Sequence, residues 1–211
     1  MNGKPAGGLF ISFEGIDGSG KSTQARLLAE ALGKAGYETI LTREPGGSVG
    51  AEQIRSLVLE GDPDRWSAET EILLFTAARR DHLEKTIQPA LRAGKIVICD
   101  RFADSTRMYQ GISRGDLRTV VDDLHSLMIG REPDVTFIVD MDPAIGLARA
   151  KARQTSEERF EDFGNDFQVK MRAGFLALAK EFSERCVVID GARDLGEVNQ
   201  DILRKTQEIL A

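Results

Sequence analysis

Eight residues near the amino terminus have the types and spacing of a loop that binds phosphate. Residues 15–22 read Gly-Ile-Asp-Gly-Ser-Gly-Lys-Ser and match the pattern G-x-x-x-x-G-K-[ST]. The glycines let backbone N–H groups surround a phosphate, and a following helix adds a favourable field for the anion. We expect Lys21 to reach the β- and γ-phosphates of a nucleoside triphosphate and the Ser22 hydroxyl to ligate Mg²⁺. The residues expected to bind the nucleotide are Gly15, Ile16, Asp17, Gly18, Ser19, Gly20, Lys21, Ser22 and Thr23.

A strand and a helix must hold this loop in place. The run 9–14 is apolar, and residues 23–32 place apolar side chains at helical spacing. Further strand-like runs occur at 38–42, 96–100, 135–140 and 186–190, and segments of helical period separate them. Strands rich in valine and isoleucine between helices are typical of a parallel sheet. The sequence therefore predicts an α/β, P-loop three-layer fold, with a five-stranded parallel sheet and helices on both faces.

Helical periodicity predicts where these covering helices lie. The predicted segments are 48–59, 67–93, 104–110, 116–129, a helix from Pro143, 166–182 and 194–210. Asp142 precedes Pro143 and is a candidate cap for that helix.

Polar side chains follow the second and third predicted strands, as the glycine loop follows the first. Arg43 and Glu44 come after the second strand, and Asp100 and Arg101 end the third. Ligands bind at the carboxyl ends of strands in such sheets, so we expect these residues to share one cleft. An acid that closes an apolar strand, such as Asp100, is typical of a carboxylate that handles Mg²⁺. Two arginines at this edge suit a second phosphate group, which indicates a kinase whose acceptor is itself a phosphate.

Composition sets limits on the remaining possibilities. The chain has 211 residues, 41% of them hydrophobic, and its net charge of −6 argues against general nucleic-acid binding. No apolar stretch approaches the length of a membrane span, and the start lacks the apolar region of a signal peptide. Cys99 and Cys186 lie in apolar runs without C-x-x-C spacing, which indicates buried thiols in a reducing compartment. We predict a cytoplasmic protein with a flexible tail over 1–8 and one domain over 9–211.

Residues 149–161 are dense in charges of both signs. One interpretation is a solvated helix end. The other is a mobile lid over about residues 149–164, which closes over the triphosphate and excludes water from the reaction. The pattern alone leaves both interpretations open.

Four motifs in order along the chain resemble those of the thymidylate kinases, which phosphorylate dTMP to dTDP. They are FEGIDGSGKST at 13–23, TREPGG at 42–47, LFTAARR at 74–80, and CDRF from residue 99 continuing through Ser105 to YQG at 109–111. The resemblance extends from residue 9 to about residue 209. It implies that ATP and dTMP are the substrates, that Mg²⁺ is the cofactor, and that the protein is a homodimer. Apolar helix faces near 69–75 and 117–128 are candidates for that pairing.

The resemblance also assigns roles around the thymine base and the sugar. It implies that Phe75 stacks on the thymine ring and that Arg79 hydrogen-bonds its O4 side. Thr106 and Gln110 occupy positions of polar contacts to the base. Tyr109 packs beside the deoxyribose, where it disfavours a 2′-hydroxyl.

The resemblance further assigns the residues that handle phosphate and metal. Arg43, Arg55 and Arg101 are expected to hold the 5′-phosphate of dTMP. Glu44 and Ser105 lie within the same motifs and are counted with the substrate site. Asp17 is expected near the sugar 3′-hydroxyl and, with Ser22 and Asp100, near the metal.

One position separates two types of thymidylate kinase. Some members carry an arginine at the position that Gly18 holds here. This chain resembles the bacterial type, in which the lid supplies the cation. We therefore predict that Arg153 and Arg159 act in catalysis beside Lys21, Asp17 and Arg101, with Arg149 a weaker candidate.

Two other functions start from the same phosphate loop. A deoxynucleoside kinase has a hydroxyl acceptor and wants a carboxylate base, for which Glu14 or Asp100 are candidates. The three arginines expected at the acceptor site disfavour it, since a phosphate acceptor is mostly dianionic at neutral pH and needs no base. A GTP-dependent switch protein would read guanine with an N-K-x-D motif, and this motif is absent from the sequence.

Overall fold

Five strands form one sheet in which all neighbouring strands are parallel. The structure is a computed structural model that describes residues 7–62, 65–112, 115–152 and 164–211. The strands are β1 (Phe10–Glu14), β2 (Thr39–Arg43), β3 (Ile96–Asp100), β4 (Val135–Asp140) and β5 (Cys186–Asp190). Their order across the sheet is β2-β3-β1-β4-β5. The predicted five-stranded parallel α/β fold is confirmed, and β1 at the centre places the glycine loop in the middle of the carboxyl edge.

Helices connect the strands as the periodicity predicted. They are α1 (Lys21–Lys34), α2 (Val49–Leu59), α3 (Ala68–His82), α4 (Gln88–Arg92), α5 (Ala103–Tyr109), α6 (Arg118–Met128), α7 (Pro143–Lys151), α8 (Gly164–Glu181) and α9 (Leu195–Leu210). The predicted helix at 67–93 is interrupted by a π-helical turn between α3 and α4, over Leu83–Ile87. Pro89 has no N–H for the carbonyl of Lys85, and its ring would crowd that carbonyl, which accounts for the wider turn.

Alternation of apolar side chains along the strands builds a core on each face of the sheet. Ile11 and Phe13 of β1 point to the face that α1 and α9 cover. Phe10 and Cys99 point to the opposite face, where the π-helical turn and α4 pack. Alternate residues of a strand point to opposite faces, so runs that are apolar throughout require helices on both sides. Cys186 is also buried, in the core beside α8, as predicted for both thiols.

Several predicted features lie at the limits of the described residues. Asp142 caps α7 as predicted, since its Oδ1 accepts N–H groups of Ala144 at 3.0 Å and Ile145 at 3.3 Å. The predicted lid falls mostly on residues 153–163, which lie outside the described part. Of the predicted tail, residues 1–6 also lie outside it, and the N–H of Gly8 donates to the carbonyl of Leu91 at 3.0 Å. Among the helices described, none is both long and apolar enough to cross a membrane.

Candidate functional site

A cavity of about 410 Å³ opens at the carboxyl ends of β1, β2 and β3. The chain leaves β1 toward β2 on one side of the sheet and later reaches β4 on the other, so this edge contains a topological switch point, where ligands bind in open α/β sheets. The predicted site residues that line the cavity are Asp17, Gly18, Gly20, Lys21, Ser22, Arg43, Glu44, Arg55, Phe75, Arg79, Asp100, Arg101, Ser105, Thr106, Tyr109 and Gln110. The predicted residues Gly15, Ile16, Ser19 and Thr23 belong to the loop or to α1 but do not line the cavity.

The glycine loop has the backbone that its sequence requires. Gly18 and Gly20 have φ values of 73° and 101°, in the left-handed region that favours glycine. A Cβ atom at Gly18 would lie 1.9 Å from the carbonyl oxygen of Gly146 in α7. Lys21 begins α1, and its buried Nζ donates to the carbonyl of Ile16 at 2.6 Å. Burial, and then the charge of Arg101, lower the pKa of Lys21 to about 8, which still leaves its ammonium mostly protonated at neutral pH.

Arg101 joins the glycine loop to α5. Its φ of 69° is the only positive value at a non-glycine residue in the described part of the chain. Its guanidinium forms an ion pair with Asp17, donates from Nη1 to Ser105 Oγ at 2.9 Å, and lies 5.1 Å from the ring centre of Tyr109. The Tyr109 hydroxyl donates to Asp17 at 3.1 Å. A left-handed arginine costs free energy, of the order of 1–3 kcal/mol, and such residues cluster at functional sites.

Asp17 is held ionised between cations. Burial alone would raise its pKa, but the charges of Arg101 and Lys21 outweigh burial and lower the pKa below its ordinary value. The Tyr109 hydroxyl adds to that effect. Asp17 therefore stays a carboxylate at neutral pH and keeps Arg101 oriented toward the loop.

Glu14 lies directly behind Arg101 and is completely buried. Its Oε1 accepts the N–H of Phe102 at 2.7 Å, and its Oε2 accepts the Ser105 hydroxyl at 2.7 Å. Burial and the nearby charge of Asp104 raise the pKa of Glu14 to about 7. Sequence reasoning considered Glu14 only as the base of the deoxynucleoside kinase alternative. Glu14, like Asp100, is an acid at the end of an apolar strand, so the same signal could have singled it out.

A buried chain of polar groups stands behind the opposite side of the cavity. Arg79 donates from Nε to Glu44 Oε2 at 2.7 Å and from Nη2 to Thr106 Oγ1 at 3.0 Å. The other Glu44 oxygen lies 3.0 Å from Nδ1 of His82, whose Nε2 is 2.7 Å from Thr42 Oγ1. Since a carboxylate only accepts, Nδ1 carries a proton. His82 was not among the predicted site residues, so sequence reasoning missed this link to the site.

Phe75 and Gln110 complete this side of the cavity. Phe75 is 8% exposed on α3, and Gln110 follows α5. The Gln110 carboxamide donates to Glu71 at 3.1 Å, and Glu71 is completely buried. An aromatic face beside polar groups held by buried carboxylates is suited to a planar heterocycle with hydrogen-bonding edges. Glu71 was not predicted, because nothing in its helical pattern distinguishes it from a surface glutamate.

Two more predicted arginines reach the cavity from β2 and α2. Arg43 pairs with Glu52 at 3.3 Å in a half-exposed ion pair, and Arg55 donates to the carbonyl of Pro45. Glu52 also accepts the N–H of Gly47 at 2.9 Å. That backbone donor, and then Arg43, lower the pKa of Glu52 against the effect of burial. With Arg101, these side chains bring three guanidinium groups to one cavity, which can bind a phosphate dianion.

The predicted metal ligands lie on the loop side of the cavity. Asp100 Oδ1 is buried and has no hydrogen-bond partner among the described residues, and Ser22 is exposed at the start of α1. In the described part of the chain, no three acidic, histidine or cysteine side chains form a metal cage. Mg²⁺ at kinase sites is bound by one or two carboxylates together with substrate phosphates and water, so this donor set fits that ion.

The two predicted lid arginines, Arg153 and Arg159, lie outside the described residues. Arg149, the weaker candidate, is exposed in the last turn of α7.

Comparison with known proteins identifies relatives along almost the whole chain. The profile of the family described as thymidylate kinase matches residues 13–202. A thymidylate kinase of Ruegeria pomeroyi is 74% identical over 92% of both chains, and one of Dinoroseobacter shibae is 67% identical over 93% of this chain and 95% of the relative. A crystal structure of thymidylate kinase from Ehrlichia chaffeensis superposes with a TM-score of 0.78 at 39% identity, covering 95% of this chain and 99% of that one.

Proposed function

Because this chain belongs to the thymidylate kinase family and transfers the γ-phosphoryl group of ATP to dTMP, we propose that Arg101 acts between its two substrates. The observation that carries the proposal is the position of Arg101. It lies at the switch point of the sheet, paired with Asp17 of the glycine loop and lining the same cavity as Arg43 and Arg55. One guanidinium there attracts both the acceptor phosphate and the group being transferred.

Lys21 and the loop N–H groups bind the ATP phosphates. Lys21 exchanges its contact with Ile16 for the β- and γ-phosphates, whose charge restores the pKa that burial lowers. These groups are fixed before the reaction, so they stabilise the charge that spreads over the transferred phosphoryl group without reorganising.

The 5′-phosphate of dTMP is held by Arg43, Arg55 and Arg101. The acceptor is a dianion above its second pKa, about 6 for phosphate monoesters, so its oxygen attacks without a general base. The difficulty of the reaction is the repulsion between two polyanions, and the three guanidinium groups and Lys21 reduce it.

Thymine lies between Phe75 and the polar groups around Arg79. Phe75 stacks on the base. The polar edges of the base form hydrogen bonds with Arg79, Thr106 and Gln110. Glu44 orients Arg79 from behind and does not have to contact the base, because both of its oxygens already have protein partners. Tyr109 and Asp17 lie beside the deoxyribose.

We assign Mg²⁺ to Ser22, Asp17 and Asp100. Bound there with the ATP phosphates, the ion supplies a positive charge that offsets the developing negative charge. The buried Asp100 oxygen has no hydrogen-bond partner among the described residues and would be suited to accept a hydrogen bond from a water bound to that ion. The Asp17 carboxylate would then serve both the ion and the guanidinium of Arg101.

The missing loop cation at Gly18 supports the lid interpretation. A cation from the lid, Arg153 or Arg159, would act on the transition state and exclude water when the lid closes.

The remaining proposals concern assembly and location. Leu73 on α3 and Val120, Leu127 and Met128 on α6 are exposed apolar side chains on two helices that pack together, and they favour a homodimer through these helices. A Leu127→Glu variant should then elute as a monomer in light-scattering chromatography.

Strands from both halves of the chain share one sheet, which favours one domain over 9–211. The two buried thiols favour the cytoplasm as the location of the protein.

The role of Arg101 is tested by following dTDP formation with Arg101→Ala and a matched control. Loss of a charge that acts at the transition state should lower kcat by about 10²–10³-fold. Arg204→Ala removes an exposed arginine of α9 that pairs with Glu208 and does not line the cavity, and it should leave kcat unchanged. Near-normal kcat in Arg101→Ala would contradict the proposal.

A further inference from the structure

Glu14 is linked by hydrogen bonds both to the backbone next to Arg101 and to the Arg101 side chain. On the backbone side, its Oε1 accepts the N–H of Phe102, the residue that follows Arg101, at 2.7 Å. On the side-chain side, its Oε2 accepts the Ser105 hydroxyl at 2.7 Å, and Ser105 Oγ accepts Nη1 of Arg101 at 2.9 Å. One buried carboxylate therefore terminates two hydrogen-bond paths that lead to the same arginine.

The backbone contact bears on the strained conformation of Arg101. A φ of 69° turns the chain sharply between β3 and α5, and the peptide N–H of Phe102 directly follows that turn. Left-handed conformations of bulky residues persist only where the surroundings hold them. The Glu14–Phe102 bond holds the turn from the neighbouring strand, because β1 and β3 are paired in the sheet.

The side-chain contact determines where the guanidinium points. Ser105 donates its only proton to Glu14, so its lone pairs face Arg101. Asp17 binds the other terminal nitrogen of Arg101. With Nη1 on Ser105 and Nη2 on Asp17, the plane of the guanidinium is fixed, and it can present its remaining N–H bonds to a phosphate without reorganising.

Glu14 is not positioned to contact a ligand in the cavity. It is 0% exposed and is absent from the cavity lining, where Ser105 and Arg101 stand in front of it. A general base would need to reach the acceptor oxygen. Glu14 is therefore not placed to serve as the base that the sequence left open, and its side chain bonds to Phe102 and Ser105 instead.

We propose that Glu14 is a positioning residue of the phosphoryl transfer, which holds Arg101 in its left-handed conformation and aims its guanidinium through Ser105. This inference rests on the proposed role of Arg101. It predicts that Glu14 acts on catalysis only through that arginine.

A double-mutant cycle on dTDP formation tests this dependence. Glu14→Ala should lower kcat by about 10–100-fold, as expected for a displacement of a catalytic group by about 1 Å, with a smaller change in KM for ATP. In the Arg101→Ala background the same substitution should lower kcat by less than about 3-fold, because the residue through which it acts is gone. Glu14→Gln keeps an acceptor for Phe102 and should recover most of the kcat that Glu14→Ala loses.

Two further variants keep the test decisive if Glu14→Ala fails to fold. Ser105→Ala cuts only the side-chain path and should lower kcat less than Glu14→Ala, again without effect in the Arg101→Ala background. Asp134→Asn is the control, since Asp134 accepts the N–H of Phe10 at 2.8 Å at the opposite end of β1 and lies outside the cavity. Its kcat should equal that of the wild type.

The outcomes separate the two claims. Equal losses from Glu14→Ala or Ser105→Ala in both backgrounds, or no loss in either, would overturn the positioning role while Arg101 keeps its own. A fully active Arg101→Ala variant would overturn the proposed function, and the inference with it.

Discussion

Arg79 and Glu44 form an ion pair that is almost completely buried beside the cavity. Nε of Arg79 lies 2.7 Å from Oε2 of Glu44, and each side chain is only 4% exposed. A buried guanidinium without its carboxylate is strongly destabilising, whereas an intact pair is close to neutral for stability. The pair is therefore better understood as a device that sets the direction of Arg79 than as a source of stability.

Removing Glu44 should affect both folding and base recognition. We expect Glu44→Ala to lower the free energy of unfolding by about 3–5 kcal/mol, since Arg79 is left unpaired. Among molecules that fold, KM for dTMP should rise more than KM for ATP, because only the base side of the cavity is disturbed. Urea unfolding and steady-state kinetics measure the two effects, and an unchanged KM for dTMP would show that Arg79 is oriented by other contacts.

Gly18 should accept no side chain, including the arginine that some relatives carry there. Its φ is 73°, and any Cβ would lie 1.9 Å from the backbone oxygen of Gly146, so α7 would have to move. We expect Gly18→Ala to weaken ATP binding at least about 10-fold, and Gly18→Arg to fail to restore activity to a lid variant. Gly36→Ala is the control, since Gly36 also has a positive φ but has open space around it. Isothermal titration with a nonhydrolysable ATP analogue measures the binding, and equal affinities of the two alanine variants would contradict the steric argument.

Stability should depend on pH through Glu14. Its pKa is raised by burial and by Asp104 from 4.5 to about 7 in the folded protein, against the lowering influence of Arg101. Between pH 4.5 and pH 7 the folded state therefore binds more protons than the unfolded state. The stabilisation that protonated Glu14 contributes is fully present below about pH 4.5 and is lost as the pH rises through 7. Glutamine at position 14 does not titrate. The free energy of unfolding of Glu14→Gln, relative to that of the wild type, should therefore increase by on the order of 2 kcal/mol from pH 5 to pH 8. Urea unfolding at both pH values measures this change, and a difference that is independent of pH would contradict the raised pKa.

The elements were predictable because each follows from a local pattern. The run 96–99 is apolar throughout, which is typical of a strand covered on both faces, and Asp142 before Pro143 is typical of a helix start. The strand order was not predicted, because it depends on which faces pack together far along the chain.

The motif residues that line the cavity were predictable from the sequence. The buried residues that hydrogen-bond to them from outside the cavity were not. Lys21, Arg79 and Arg101 are identified by their motifs. Glu71 and His82 lie one helical turn or less from motif residues, and as single residues they look like ordinary members of α3. Their importance comes from complete burial against Gln110 and Glu44, which no local pattern encodes.

The lid arginines should act on the transition state more than on substrate binding. We expect alanine at Arg153 or Arg159 to lower kcat by at least about 10²-fold, or about 2.7 kcal/mol, with KM for dTMP little changed. Lys151→Ala, at the end of α7, is the control for loss of a nearby exposed charge. Steady-state kinetics of the three variants provide the test. Near-normal kcat in both arginine variants would mean that the segment is a solvated helix end.

Acceptor choice tests most directly whether this cavity recognises thymidylate. The measurement is kcat/KM for ATP-dependent phosphorylation of dTMP, dUMP, UMP, CMP and AMP under one set of conditions. Stacking on Phe75, the hydrogen bonds of Arg79 and the position of Tyr109 beside the sugar predict the highest value for dTMP, a lower one for dUMP, and only slight turnover of UMP, CMP and AMP. Equal turnover of AMP and dTMP would contradict the assignment of the base site.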